Sequence, residues 1–400
     1  MLFKLNKNTR QVVPYIQRSI FILFVGFSVS AQTIEDISFG TEDTFEVVTW
    51  NIEHFPKKNQ TTIGYVHRIL KAIDADVYAI QEVENINDFN QLVNGLSEYE
   101  GYLESTYFAG LAYIYKKELV QINSIYEIYT TSEYWKAFPR SPMVMDLTFN
   151  GERLIIINNH FKCCGDGLLV TTNQNDEEAR RHKASMLLKQ YIDANFANLN
   201  VLLVGDLNDR LTDTVANNVF KPYFDDSENY KFVDYEIATG NSTGWSFPSW
   251  PSHVDHILIS NELFDEFAND DTVIDVLKVE EYIEGGWNSY DNEITDHRPV
   301  AFKFKLNKAL NTEDEKLQIE HFTNYPNPFI TSTTFSFNTF LESGKIEVFN
   351  ILSQKVYSNT ITIGQRSVLW EAKNIPHGIY IARLSVNNRK IATLKLILNK

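Results

Sequence analysis

A chain of 400 residues, 44% of them hydrophobic, has the apolar content to bury more than one core; this excludes a disordered polymer and predicts two folded units. The formal charge of −16 is uneven, since residues 32–306 hold 21 basic and 45 acidic side chains. That balance excludes tight nonspecific binding to a polyanion, which rests on lysine and arginine neutralising phosphates, but leaves open a site whose local field is reversed by bound cations.

In chain order, Lys4, Lys7, Arg10 and Arg18 precede an apolar run, Ile20 to Val29, that ends in Val29-Ser30-Ala31. A run of about ten residues is too short for a hydrocarbon core that needs about 20, so residues 1–31 read as a secretory signal peptide with Gln32 as the new N-terminus. Four strands follow from β-branched and aromatic runs at Phe45–Trp50, Val77–Ile80, Leu154–Ile157 and Val201–Val204, several apolar throughout, as doubly covered strands are. Helical spacing recurs between them, with Val66, Ile69, Leu70 and Ile73 on one face of the first helix and a longer helix over Glu177–Phe196. Alternating strands and helices over residues 32–306 predict an α/β domain with sheets covered by helices. The polar stretch 307–320 reads as a linker. Beyond it, from residue 321 to 400, short alternating segments such as Lys345–Phe349 and Ile379–Leu384, separated by glycine and proline, predict a small all-β sandwich.

The polar residues that carry chemistry sit at strand ends: Trp50-Asn51, Gln81-Glu82, Asn159-His160, Gly205-Asp206-Leu207-Asn208-Asp209, Val254-Asp255-His256 and Thr295-Asp296-His297-Arg298-Pro299. Any single pair is an ordinary turn cap. Six in order, each just beyond an apolar strand, predict one cleft outside the strand ends of a layered α/β protein. Carboxylates and an asparagine suit a hard, oxygen-loving cation such as Mg²⁺, whereas a zinc motif, a phosphate-binding GxxxxGK[ST] loop and a G-x-S-x-G elbow are all missing from the sequence.

This ordered set, WN, QE, NNH, GDLND, VDHI and TDHRP, resembles the endonuclease/exonuclease/phosphatase superfamily, over about residues 44–306. The resemblance implies a four-layer α/β sandwich of two mixed β-sheets flanked by helices. It implies Glu82 as principal metal ligand, with Asn51 and Asp296 completing the shell around Mg²⁺ or Mn²⁺; a second cation such as Ca²⁺ is left open. By the same motifs Asp206 activates the attacking water, Asn208 holds a phosphate oxygen, Asp255 orients His297 towards phosphate or water, and His160 faces the leaving oxygen. Asn159 and Arg140 fall at substrate-binding positions; the other reading of Arg140 is a surface ion pair. The sequence departs from the DNase I-like nucleases at Glu84, where they carry an arginine, at Gly110, where they carry the acid supporting the first histidine, and at His253, where exonuclease-type members carry an arginine.

Three features keep more than one reading each. Asp166, Asp176 and Glu177 belong to a second metal site or, more simply, to a solvated loop. Trp245, Phe247 and Trp250 stack against a substrate or pack as scaffold. The adjacent Cys163 and Cys164 form a vicinal disulfide or two thiols, or are buried as small apolar residues. At the C-terminus, Asn324-Tyr325-Pro326-Asn327-Pro328-Phe329 and Pro376-His377-Gly378-Ile379-Tyr380 resemble a type IX secretion sorting domain, which implies export to the cell surface or beyond; the other reading is a carbohydrate- or partner-binding module. The expected function is a secreted metal-dependent phosphoesterase, an endonuclease acting on extracellular nucleic acid. The alternatives are a phosphatase or phospholipase C-like enzyme acting on inositol phosphates or sphingomyelin-type lipids, and a non-catalytic surface-binding protein.

Overall fold

The computed structural model describes residues 32–306, 322–337, 344–350, 354–362, 364–386 and 389–399. The segments read as signal peptide and linker lie outside these residues. The chain divides into two compact units between Lys308 and Ala309.

In the first unit β1 (Phe45–Phe55), α1 (Gln60–Ile73), β2 (Val77–Val83), α2 (Ile86–Gly95), β3 (Tyr99–Leu103) and β4 (Gly110–Lys116) come first. There follow β5 (Val120–Glu127), β6 (Met143–Phe149), β7 (Glu152–His160), α3 (Glu177–Asn195), β8 (Asn200–Asp206), α4 (Lys221–Phe224), β9 (Tyr230–Phe232) and α5 (Tyr235–Thr239). The unit closes with β10 (Asp255–Ser260), α6 (Phe264–Phe267), β11 (Val273–Val276), α7 (Trp287–Glu293) and β12 (Val300–Phe304). Two six-stranded sheets result, ordered β11-β12-β1-β2-β4-β3 and β5-β6-β7-β8-β10-β9.

The two sheets share a plan. Each has one parallel pair at its centre, β1 with β2 and β7 with β8, and an antiparallel strand on either side of it. Parallel strands end at the same edge, so Asn51, Glu82, His160 and Asp206 all leave the sheets in the same way. Strand alternation sorts the apolar residues into three layers. Val47, Ala79, Ile156, Val204 and Ile257 fill the space between the sheets; Trp50, Ile80, Val66 and Leu70 pack the first sheet under α1; Ile155, Ile157, Leu203 and Leu188 pack the second under α3. Helix, sheet, sheet and helix make the four-layer α/β sandwich expected from the sequence.

The inter-sheet layer is not wholly apolar. The Gln81 amide donates to Asn158 Oδ1 across the sheets at 2.8 Å and to Thr49 Oγ1 at 3.0 Å, and the Asn158 amide donates back to the Ile80 and Ala112 carbonyls at 3.0 Å. Tyr113 joins them, its single hydroxyl hydrogen shared between the Met143 and Ile156 carbonyls at 2.8 and 2.9 Å and its oxygen accepting from Asn158 N at 2.9 Å. A buried amide without its partner costs about 1–3 kcal/mol, so this network admits one register between the sheets. Asn158→Leu strands several of these groups at once and is expected to lower unfolding stability by about 2–4 kcal/mol, read by urea denaturation; a loss below about 1 kcal/mol would show that the network does not hold the register.

At the opposite ends of β1 and β2, Glu46 and Asp76 are buried together, Glu46 N donating to Asp76 Oδ2 at 3.1 Å. Burial, and then the charge of Asp76, push the Glu46 carboxyl up to about 8. The folded chain therefore holds a proton that the unfolded chain has released, and stability drains as pH rises between the ordinary carboxylate range and 8. Glu46→Gln keeps an oxygen for Thr41 and Thr44. It is expected to melt higher than wild type at pH 8, with the gap closing towards pH 5; an unchanged gap across that range in thermal melts would refute the assignment.

The second unit is all-β, with β13 (Phe322–Tyr325), β14 (Ser332–Phe337), β15 (Gly344–Asn350), β16 (Lys355–Ile361), β17 (Ser367–Glu371), β18 (Gly378–Val386) and β19 (Arg389–Leu398). A three-stranded sheet, β13-β14-β17, and a four-stranded one, β16-β15-β18-β19, enclose one core built on Phe335, Trp370, Val348, Ala382 and Leu384.

Candidate active site

The site is assembled from irregularities at the ends of the central strands. After Asn51 the backbone of β1 turns through left-handed conformations at Glu53 and His54, φ 27° and 50°, which slips its pairing with β2. This delivers His54 N to Glu82 Oε2 at 3.1 Å and Glu53 N to Asn51 Oδ1 at 3.0 Å. Glu82 is itself at φ 65°, a conformation disfavoured for a glutamate and held only because its surroundings fix it. On the other sheet, Gly205 precedes Asp206 at φ 142°, and a Cβ there would lie 1.9 Å from the Asn159 carbonyl oxygen, so only glycine lets β8 run this close to β7.

Four carboxylates and two imidazoles converge here. The Asn51 amide bridges Glu82 Oε1 at 3.1 Å and Asp206 Oδ2 at 3.0 Å. His160 Nε2 stands 3.3 Å from Asp206 Oδ2 and 3.8 Å from Glu82 Oε1. His297 Nδ1 contacts Asp255 Oδ2 at 2.8 Å while its Nε2 faces Asp206 Oδ2 at 3.9 Å and Asp296 Oδ1 at 3.8 Å. The main chain around His297 is fixed from three sides: Trp50 Nε1 and the Tyr290 hydroxyl donate to its carbonyl at 3.1 and 2.7 Å, and its N–H donates to Thr295 Oγ1 at 3.1 Å. A cleft of about 660 Å³ opens over Glu82, His160, Asp206, Asn208 and His297.

The two histidines are driven apart. Burial takes His160 well below the ordinary imidazole range, helped by the positive charges of Arg140 and His297, and its Nδ1 is buried with no hydrogen-bond partner. Burial opposes charge on His297 too, but Asp255, Asp206 and Asp296 outweigh it and raise His297 to about 10. Asp206 is pushed up to about 7, by burial first and by Asp255 and Glu82 next, against the lowering effect of His297. Burial and Glu53 bring Asp296 to about 6.

Of the residues singled out in the sequence, Asn51, Glu82, His160, Asp206, Asp255, Asp296 and His297 are linked by these contacts. Asn208, in the left-handed region at φ 53°, lines the cleft, its N–H donating to Asp206 Oδ1 at 3.1 Å. Arg140 lines an adjoining pocket, its Nε donating to the Phe108 carbonyl at 2.6 Å. Asn159 is not brought to the cleft: strand alternation sends it to the face opposite His160, where it is buried and donates to the Ile157 carbonyl at 2.8 Å.

The open readings also divide. Asp176 caps α3, accepting from Ala179 N at 2.8 Å, and so serves the helix rather than a second metal. Trp245 is anchored to the Ile237 carbonyl as scaffold; Phe247 tilts over His297 at 4.7 Å; Trp250, 74% exposed, stands on the cleft rim instead of packing. Cys163 and Cys164 are exposed free thiols, not buried apolar residues, because they ride on a surface loop.

Three supporting residues carried no sequence signal. Asp234, outside every motif, receives His253 at 3.0 Å and His256 at 2.6 Å and is held well below the ordinary carboxylate range: burial alone would raise it, and the two imidazoles overcome that. Arg181 pairs with Asp209 at 2.8 Å and donates to the Lys162 and Cys164 carbonyls at 2.7 Å, tying the loop after His160 to GDLND. The Ser246 hydroxyl accepts from Asp255 N at 3.3 Å. Asp209 was visible in the motif, but its role as an arginine partner was not.

Two clusters have the spacing of a metal cradle, Asp206–Asp255–His297 and Asp234–His253–His256. In the first, Asp255 Oδ2 and His297 Nδ1 occupy each other, and in the second Asp234 Oδ2 is held by both histidines, so both read as polar networks. Glu82 and Asp296 bring carboxylate oxygens to the same cleft edge, and the Asn51 oxygen, which accepts from Glu53 N–H at 3.0 Å, lies beside them. Among the described residues no lysine or arginine forms an ion pair with Glu82, Asp206, Asp255 or Asp296, so these carboxylates offer oxygen donors of the kind that suit a hard cation such as Mg²⁺ or Mn²⁺.

Residues 48–297 match the Endonuclease/Exonuclease/phosphatase family, and the chain belongs to it. Residues 323–399 match the Secretion system C-terminal sorting domain. No curated protein sequence matches the chain significantly. Among solved structures, D. rerio TDP2 complexed with a single-strand DNA product is 16% identical, with a TM-score of 0.51, covering 66% of this chain and 100% of its own. The human Nocturnin catalytic domain with bound sulfate is 15% identical, with a TM-score of 0.48 and coverage of 67% and 96%. A mannosyl-6-phosphatase of Bacteroides thetaiotaomicron is 14% identical, with a TM-score of 0.46 and coverage of 66% and 100%.

The Asp255–His297 contact is open to a direct check. Asp255→Asn removes the anion and is expected to abolish the far-downfield imidazole N–H resonance of a buried histidine–carboxylate pair in proton NMR, with the fold retained. A resonance that survives the substitution would assign the pair elsewhere.

Proposed function

We propose that this chain is an exported, divalent-metal-dependent phosphodiesterase that hydrolyses nucleic acid. One observation carries the reading: Asp206 lies within reach of both histidines and shares the Asn51 amide with Glu82, so a base, two hydrogen-bond donors and an oxygen-donor set face one point.

Glu82, Asn51 and Asp296 would hold the cation, which supplies Lewis-acid polarisation and neutralises phosphate charge. Asp206, raised to about 7, is poised to take a proton from water near neutral pH as the water oxygen bonds to phosphorus and the P–O bond to the leaving group breaks. His297, kept protonated by Asp255, donates Nε2–H to a phosphate oxygen. His160, kept neutral by burial, presents Nε2–H to the departing oxygen as a hydrogen bond, and that oxygen takes its proton from solvent as it leaves. Asn208 and Arg140 bind the phosphate oxygens on either side. The C-terminal unit directs type IX export to the cell surface or beyond and takes no part in these steps.

A second reading, a phosphomonoesterase or a phospholipase C-like enzyme, is favoured by the acidic exterior and by Glu84, which holds His54 at 2.6 Å where a nuclease of this kind would place an arginine. Single- and double-stranded DNA and RNA, choline phospholipids and inositol phosphates assayed side by side with Mg²⁺ separate the two. Polynucleotide cleavage is expected, abolished by EDTA and lowered by about 10³-fold or more in Asp206→Ala. Intact polynucleotides with turnover of another class would replace the first reading with the second.

A further inference from the structure

Beside the site lies a second cavity, of about 610 Å³, and Cys163 lines both. In a unit with more than twice as many acidic as basic side chains, this pocket gathers Arg140, Lys162 and Arg180. None of the three forms an ion pair among the described residues. Each guanidinium commits its Nε to a carbonyl at 2.6 Å, Arg140 to Phe108 and Arg180 to Lys136, and these contacts leave the Nη groups available. The charge of Arg140 is felt by the chemistry: burial lowers its proton affinity while Glu82 and Asp206 oppose the drop. Glu127 is the acidic residue on the lining, and burial raises its carboxyl towards the neutral form.

The same pocket is ringed by aromatic side chains left in water. Tyr107 is 66%, Phe108 60% and Trp135 56% exposed, and the Tyr107 and Phe108 rings lie 4.4 Å apart. The tip that presents them is set by left-handed residues at Phe108 and Ala109, φ 53° and 61°, with the Arg140 hydrogen bond holding the Phe108 carbonyl. Exposed rings beside unpaired guanidinium groups match a ligand with a flat face and a negative charge.

We propose that this pocket binds the nucleotide adjoining the scissile phosphate of a single-stranded substrate, its base on Trp135 or Tyr107 and its phosphate on Arg180 and Lys162. The proposal rests on the phosphodiesterase reading and extends it to strandedness. Stacking needs a free base face, which a duplex keeps covered. The acidic exterior repels a long duplex, whereas a local basic pocket draws in a short strand.

Isothermal titration of the full chain with thymidine 5′-monophosphate in EDTA tests it. Binding is expected, weakened by about fivefold or more in Trp135→Ala and, separately, in Arg180→Met, as the loss of one stacked base or one phosphate contact gives. Thymidine and inorganic phosphate, each offering half of the ligand, are expected to bind more weakly than the nucleotide. Equal Kd for wild type and both variants, or phosphate binding as tightly as the nucleotide, would overturn the pocket. Polynucleotide cleavage that persists beside equal Kd values removes the pocket and leaves the phosphodiesterase; nucleotide binding that depends on both residues without any cleavage does the reverse.

Discussion

The buried hydrogen-bond network of Gln81, Asn158 and Tyr113 fixes how one sheet lies on the other, and everything at the site depends on that placement. Apolar packing between twisted sheets tolerates small slips, because one aliphatic contact replaces another at little cost. Directional bonds in a dry layer do not. Gln81 immediately precedes Glu82, and Asn158 lies two residues before His160 on the same face of β7, so the crosslink is made next to the groups it aligns. Each sheet could present polar strand ends alone. Only their locked apposition brings Glu82 and Asn51 from one sheet within about 4 Å of His160 and Asp206 from the other.

A site built this way inherits an excess of negative charge, and its neighbours divide that charge into distinct roles. Two imidazoles within reach of one carboxylate move in opposite directions because only one has a carboxylate to itself: Asp255 holds His297, while His160 Nδ1 faces nothing. The same carboxylate between them, Asp206, is pushed towards neutrality. Placement alone thus leaves one imidazole charged, one neutral and the carboxylate between them near its midpoint.

Much of this was legible in the sequence. The runs at Val201–Val204 and Leu154–Ile157 gave the central strands because doubly covered strands are continuously apolar, and the residues following them supplied the polar ends. What stayed hidden has specific physical reasons. Asn159 stands beside His160 in sequence, yet a strand turns adjacent side chains to opposite faces, so a motif read as a unit is split by the pleat. Asp234 makes its contacts with residues about twenty positions away and has no pattern of its own. Trp135, Arg180 and Lys162 come from three separate segments, and no linear spacing brings them together. The α3 sequence misleads in another way: Glu178 and Arg181 are buried on its inner face, so its polarity does not mark solvent.

Arg181 links these hidden parts to the chemistry. It is buried, paired with Asp209 and Glu178, and holds the carbonyls of Lys162 and Cys164. A buried arginine is costly unless its donors are used; Nη1 is used on the loop that separates the two cavities, while Nε and Nη2 face Asp209 and Glu178. Movement of the loop would therefore strip Nη1 of both its carbonyl partners in a buried place. Cys163 lies on this loop and lines both cavities, so the tether that Arg181 makes to its neighbours on either side sets the wall the two cavities share.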